Sequence, residues 1–365
     1  MRFIAKQAKA LLRPVKRVFD TFYRCLRQKL TPALPISVIA DNYLERCHKQ
    51  GSARKVLYIS HKYDYGQVKL GLAYEEYNFF HTLRNMDAVD LLRLDSESIA
   101  NKYGKDNLNK VVKEVAILER PDIIFLMVGG DFWDYSILKS LRDDYKIEII
   151  GWLFDDDKRY QETEQLAQCF SKIVTTMHDR HILRLKRNLN SVLCQFSVNQ
   201  YIYFNYQLPK KYNVVFIGVN FNDRQDYVDH LRKSGINVAA FGRGWNTGRL
   251  SQADMIEILN QAKIVLNFSG SQDHGHLKFL KGRVFEVTGM GCFLLTEQCV
   301  GLSDYFEIGK DLDVFSDKNE LLQKVKYYLN QPDLCQEIGL RAQQKVLANL
   351  TYEKQFKHLF GLQHA

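Results

Sequence analysis

Lys278, Lys281 and Arg283 gather three cations at the entrance to an apolar stretch, and Glu286 follows one helical turn after Arg283. A short helix starting at this turn, around Gly282, aims free backbone N–H groups and the positive end of its dipole at an anion. With cations beside it, such an end can receive a pyrophosphate. Glu286 shares a helical face with Arg283, where a carboxylate can accept hydrogen bonds from ribose or sugar hydroxyls. Gly289-Met290-Gly291 end the helix, and Cys292–Thr296 read as a buried strand.

Upstream lie further residues of the same character. Gly218 closes the apolar run Val214–Ile217, and a position without a side chain lets backbone approach phosphates. Arg224 opens a helix reaching Leu231. Gly242, Arg243 and Gly244 follow the strand Val238–Phe241, where the glycines either border a nucleobase or turn the chain. Asn267 and Ser269 end the strand Ala262–Ser269, the place where such sheets contact ligands, or else they cap it. In the first half, His61 follows the strand Lys55–Ser60 and can bind an acceptor hydroxyl or take its proton. Tyr63, Asp64 and Tyr65 offer a stacking and hydrogen-bonding surface beside it, and His178 competes for the role of His61. Asp155-Asp156-Asp157 read as acceptor contacts, Asp155 among them, or as helix caps. His274 and His276 lack the neighbouring ligands of a zinc site.

These pieces, in this order, resemble the donor-sugar half of GT-B glycosyltransferases, most closely the CgeB-type branch named after a spore maturation protein. The likeness runs through Val214–Gly218, the Arg224 helix, Val238–Gly244, Ala262–Ser269 and Lys278–Glu286. A fainter one covers Val56–Gly66 and Gly71–Leu83. Many retaining relatives carry glutamates at both positions held here by Lys278 and Glu286, so no role for the first carboxylate carries over. The resemblance implies transfer of a hexose from a nucleoside diphosphate sugar, such as a UDP-sugar, to a glycan or lipid-linked cell-envelope acceptor, with retention. No cofactor is expected beyond the donor substrate. His61 and Glu286 are the expected catalytic residues. The donor contacts are Gly218, Arg224, Gly242, Arg243, Gly244, Asn267, Ser269, Lys278, Lys281, Gly282, Arg283 and Glu286. Tyr63, Asp64, Tyr65, Asp155 and His178 are the acceptor contacts. No metal is expected, because Asp155–Asp157 lie far in sequence from the donor pattern, unlike the acidic motif of GT-A enzymes. A nucleotide-sugar epimerase of GT-B fold and a non-catalytic glycan- or nucleotide-sugar-binding protein are the alternatives.

The elements that must position these residues alternate as strand and helix from Arg54 onward, which predicts parallel sheets covered on both faces. The expectation is a GT-B α/β architecture: two Rossmann-like doubly wound domains facing a central cleft, at 51–208 and 209–350. The terminal helix at 351–365 is expected to cross back to the first domain. Expected helices in the first half include Ala73–Met86. Leu30–Ser52, with Pro32, Pro35 and a short helical stretch near Tyr43–His48, reads as a linker, and Gln207–Lys211 around Pro209 reads as an interdomain hinge. Seven scattered cysteines without a CxxC pattern fit a reducing compartment.

The net charge is +9, and residues 1–30 alone carry nine Lys or Arg against the single acid Asp20, leaving the body near neutral. That distribution excludes a basic nucleic-acid-binding fold. Ile4, Ala8, Leu11, Val15, Val18, Phe19, Phe22 and Leu26 give the arm, at 1–50 with its linker, an amphipathic helical period that Pro14 interrupts. No apolar run is long enough for a transmembrane span. The arm suits an anionic membrane surface, which predicts a cytoplasmic protein peripheral to the inner face of the membrane. A helix packed on the body and a transit peptide are the alternatives. Deleting residues 1–30 is expected to preserve nucleotide-sugar binding and to weaken binding to anionic vesicles, since each Lys or Arg near such a surface contributes roughly 1 kcal/mol. Vesicle co-sedimentation across a salt series checks this, and equal binding by the truncated protein would refute it.

Overall fold

The computed structural model describes residues 34–52, 54–129, 132–154, 156, 160–270 and 278–362, so the basic arm lies outside the described residues. Two α/β units emerge: the chain up to Glu76 with Met86–Cys194, and Tyr77–Asn85 with the chain from Gln195.

The first unit opens with α1 (Ile36–Tyr43) and β1 (Leu44–Cys47), followed by β2 (Arg54–Ser60). After two 3₁₀ turns at Asp64–Gly66 and Val68–Leu70, a π-helical turn at Glu76–Phe80 leads into α2 (His81–Asn85). Then come β3 (Val89–Asp95), α3 (Ser96–Tyr103), α4 (Lys105–Glu119), β4 (Ile123–Val128), α5 (Tyr135–Asp143) and β5 (Glu148–Leu153). The unit ends with α6 (Tyr160–Ala167), β6 (Lys172–Thr175), α7 (His178–Leu185) and β7 (Ser191–Leu193). The strands lie in the order β1-β3-β2-β4-β5-β6-β7. All pairs are parallel except β1 against β3. β4 is buried at every position, as expected of a strand covered on both faces.

Two local expectations are corrected. Leu30–Ser52 is not simply a linker: Ile39 and Ala40 enter the same buried cluster as Val111 and Val112, and β1 pairs Leu44 with Leu94 at the sheet edge. Elements this short show too few turns for a period to be read from sequence. The helix expected over Ala73–Met86 is interrupted by the π turn, and only its latter part, Tyr77–Asn85, groups with the second unit.

The second unit contains β8 (Tyr212–Ile217), α8 (Arg224–Lys233), β9 (Val238–Phe241), α9 (Gln252–Asn260), β10 (Ala262–Asn267), α10 (Gly282–Gly289) and β11 (Leu294–Glu297). β12 (Asp313–Phe315), α11 (Lys318–Leu329), α12 (Pro332–Asn349) and α13 (Tyr352–Leu359) complete it. Its parallel sheet has the order β12-β11-β10-β8-β9. The chain runs outward from β8 to β9 and then returns to β8's other side with β10. That reversal makes the β8/β10 boundary the topological switch point, where open α/β sheets leave a crevice at the strands' carboxyl ends.

The units divide between Cys194 and Gln195, ahead of the Gln207–Lys211 break. Residues just after the division are already built into the second unit. Val198 forms a bridge with Thr351, and Asn199 donates its side-chain amide to the Tyr77 carbonyl at 2.6 Å. The terminal helix α13 packs on the Tyr77–Asn85 segment, with the Phe79 ring 4.7 Å from Tyr352 and 5.4 Å from Phe356. Because Ile39 is buried in the first unit's core, Ile39→Ala is expected to cost about 2–5 kcal/mol. Urea denaturation measures this, and a loss within about 0.5 kcal/mol would mean that α1 is not part of the folded body.

Candidate functional site

Arg224, the first residue of α8, holds the switch point together. Its guanidinium donates to the carbonyl of Val219 after β8 (2.9 Å) and to those of Phe268 (3.2 Å) and Gly270 (3.4 Å) after β10. It lies 3.8 Å from the centre of the Phe221 ring. Burial lowers its pKa to about 10, against the opposing pull of Glu297 and Asp223, so it stays charged at neutral pH. Glu297 ends β11 and is itself buried. One of its oxygens accepts from the backbone N–H of Ser269 (2.9 Å) and Gly270 (3.3 Å), and the other meets Lys278 Nζ at 2.9 Å. A polar cavity of about 70 Å³ lies among Asp223, Arg224, Gly270, Lys278 and Glu297.

The glycine loops close the other side. Gly218 donates its N–H to the Phe241 carbonyl, and its own carbonyl accepts from the Trp245 indole at 2.9 Å. A Cβ on Gly242, which has φ +125°, would stand 2.2 Å from the Gly218 oxygen. Only glycine permits this backbone approach. Gly244 sits at φ +90° beside Asn220.

Glu286, inside α10, is 2% exposed. Tyr203 donates its hydroxyl to one carboxylate oxygen at 2.8 Å, and Arg283 Nη1 meets the other at 2.5 Å. Gln252 donates to the Tyr203 oxygen at 2.9 Å. Burial, and then the charge of Glu286, push the Tyr203 phenol well above its ordinary pKa, so it remains a neutral donor.

Comparison with known proteins extends this geometry. Residues 224–361 match the family described as glycosyl transferase-like. The match is to that broad family rather than to the CgeB-type branch. No curated protein sequence matches the chain. Among solved structures, a sucrose-phosphate synthase from Thermosynechococcus elongatus is similar, with TM-score 0.60 and 10% identity over 85% of this chain and 100% of that one. A glycosyltransferase from Rickettsia africae gives TM-score 0.57 and 12% identity over 86% and 99%. Anabaena HepE, in complex with UDP and glucose, gives 0.55 and 12% over 84% and 99%. The expected fold is borne out: two Rossmann-like parallel-sheet units of the GT-B class.

Within the second unit, the tertiary structure brings Gly218, Arg224, Gly242, Ser269 and Lys278 to the carboxyl ends of neighbouring strands. Gly282 and Arg283 open α10, and Lys281 lies just before it, 5.9 Å from the Phe279 ring centre. Arg243 is exposed. The Asn267 amide instead donates to Thr296 within the sheet at 2.9 Å. Sequence reasoning missed Glu297, Tyr203, Gln252 and Trp245. The signal for Glu297 was present, an acid ending an apolar strand; Tyr203 lies in a stretch with no period.

In the first unit, His61 Nε2 sits 2.9 Å from Glu75 Oε2, a partner that sequence reasoning also missed. Tyr63 bridges to Leu72, Asp64 begins a 3₁₀ turn, and Tyr65 stands exposed at φ 50°. His178 begins α7. Asp155 lies outside the described residues. Asp156 neither caps a helix nor faces a ligand: it is fully buried, with both oxygens on Arg184 at 2.5 and 2.8 Å and a bond from Thr175 at 2.7 Å. Among the described residues, no three His, Cys, Asp or Glu form a metal-binding cluster.

Burial lowers the His61 pKa, but hydrogen bonding and charge from Glu75, aided by Glu97 and Asp64, reverse the effect and leave it raised above 6.5. The His61–Glu75 pair can therefore hold a proton taken from a hydroxyl. A group with a raised folded-state pKa contributes stability present below pH 6.5 and lost as pH climbs through the folded value. In an NMR titration, Glu75→Gln is expected to lower the His61 pKa and to remove this pH-dependent stability. An unchanged titration would show that the pair does not couple.

Proposed function

We propose that the protein is a glycosyltransferase that moves a hexose from a nucleoside diphosphate sugar, a UDP-sugar foremost, to a glycan or lipid-linked cell-envelope acceptor. The observation that carries this reading is the switch point bridged by Arg224. Backbone there approaches within glycine distance, and Lys278, Lys281 and Arg283 surround the start of α10. A nucleotide diphosphate needs such a place, with cations, free N–H groups and no bulky side chain. HepE, of the same fold, is a structure with UDP-glucose bound, which supports uracil as the base.

On this reading the donor exchanges partners with the protein. Ribose hydroxyls take the Glu286 carboxylate, and Arg283 swings from it onto the diphosphate, where Lys278 and Lys281 neutralise the leaving group. Gly218, Gly242 and Gly244 line the nucleotide, and Arg243 is an outer cation. Arg224 acts from beneath, fixing the loops rather than touching the sugar. His61, paired with Glu75, receives or deprotonates the acceptor beside Tyr63, Asp64, Tyr65 and His178. Cations and helix dipole replace a divalent metal, and transfer proceeds with retention, as in relatives of the CgeB-type branch. The basic arm at 1–30 holds the enzyme on the anionic inner face of the membrane, close to lipid-linked acceptors. No helix among the described residues is long and apolar enough to cross a membrane.

Glu286→Ala and Arg283→Ala should each weaken UDP-sugar binding or turnover by on the order of tenfold to a hundredfold, the loss of one charged hydrogen bond. Wild-type turnover, followed as UDP release with a donor panel, should persist in EDTA. Normal kinetics in both variants would move the donor site elsewhere, and activity abolished by EDTA and restored by Mn²⁺ would overturn the metal-free mechanism. Interconversion of the donor sugar without transfer would identify an epimerase instead.

A further inference from the structure

A second concavity lies in the same unit, beyond Gln252 and Tyr203. Its volume is about 830 Å³, and its walls include Tyr77, Tyr201, Phe204, Tyr206, Gln252 and Glu257. All of them belong to the second unit. Phe204 and Tyr206 stand 47% and 54% exposed, their ring centres 6.3 Å apart. Together they present two open aromatic faces on one groove wall. The lining holds one carboxylate, Glu257, one imidazole, His81, and no lysine or arginine among the described residues.

That chemistry selects its occupant. With no lysine or arginine in the wall, and with Glu257 there, a phosphate or other anion is disfavoured. A purely apolar ligand would cover the Glu257 carboxylate, which accepts from Gln261 at 2.8 Å, and the Gln252 amide while offering neither a further hydrogen bond. Pyranose rings offer what the walls require: C–H faces that lie on aromatic rings and edge hydroxyls that bond to amide and carboxylate oxygens. The volume falls within the range of small-ligand sites and is large enough for more than one sugar ring. We infer that this groove binds a neutral oligosaccharide, a segment of the acceptor glycan away from its reacting end. The acceptor assignment rests on the transferase reading; the carbohydrate site itself does not.

The groove also touches the donor constellation through one chain of bonds. Gln252 forms part of the groove wall and donates to Tyr203, whose hydroxyl donates to Glu286. A sugar hydroxyl bonded to Gln252 thus meets the same network that holds the donor carboxylate. Occupancy of the two sites is therefore coupled through two hydrogen bonds.

The test uses the full chain and a panel of neutral pentasaccharides, maltopentaose, cellopentaose and chitopentaose, titrated by calorimetry beside UDP. At least one pentasaccharide should bind, and Phe204→Ala with Tyr206→Ala should weaken it by roughly tenfold or more, the loss of two stacking faces, while UDP affinity stays unchanged. Tyr206→Trp, which keeps a stacking face, should bind at least as tightly as wild type. If no pentasaccharide binds, or if the double variant binds as wild type does, the inference fails. If the double variant instead loses UDP, the groove belongs to the nucleotide. Failure here with UDP release intact would leave the transferase reading standing. Oligosaccharide binding without UDP binding or release would do the reverse.

Discussion

One buried guanidinium sets the geometry of the second unit's ligand edge. Arg224 reaches the loops after β8 and β10 from the helix that follows β8, and its donors are spent on three backbone carbonyls. Burying a charge is costly unless hydrogen bonds and counter-charge compensate. Here the compensation comes from those carbonyls, from the Phe221 face and from the nearby Glu297 and Asp223. Because the loops are tied to one rigid planar group, Gly218, Ser269 and Gly270 keep a fixed spacing. Lysine could not reproduce this, since a single ammonium lacks the planar fork that reaches several acceptors at once.

Above that anchor, the carboxylates are held in readiness by cations that can also serve a ligand. Glu297 is shared between Lys278 and two backbone N–H groups, and Glu286 between Arg283 and Tyr203. Neither acid is left as an uncompensated buried charge. On the proposed reading, an incoming diphosphate competes for Lys278 and Arg283, and hydroxyls compete for the acids, so polar contacts are exchanged rather than created. The first unit shows the same logic once as pure structure. Asp156 and Arg184 are joined by two hydrogen bonds, and an acidic run that suggested ligand contact contributes at this residue to a buried brace.

Parallel α/β folding was legible from sequence because buried parallel strands are nearly continuous apolar runs. Val238–Phe241 appears at its expected bounds. α3 and α9, of eight and nine residues, lie outside the sequence expectations because helices this short show little period. The π turn at Glu76–Phe80 was invisible for a related reason: it changes the hydrogen-bond step without changing composition.

What the sequence by itself determined is the alternation of elements, the cations and glycines at the strand ends, and their placement on α10 and the loops after β8 and β9. These follow from local rules, since periodicity, glycine and charge act on neighbours in the chain. Only the tertiary structure decided the partners. It joined Glu297 to Lys278, Tyr203 to Glu286, Glu75 to His61 and Asp156 to Arg184. It also made Arg224 an anchor rather than an outward-facing cation. Partner choice depends on which strands become neighbours and on how much water is excluded between them, and both are properties of the assembled sheets rather than of any segment.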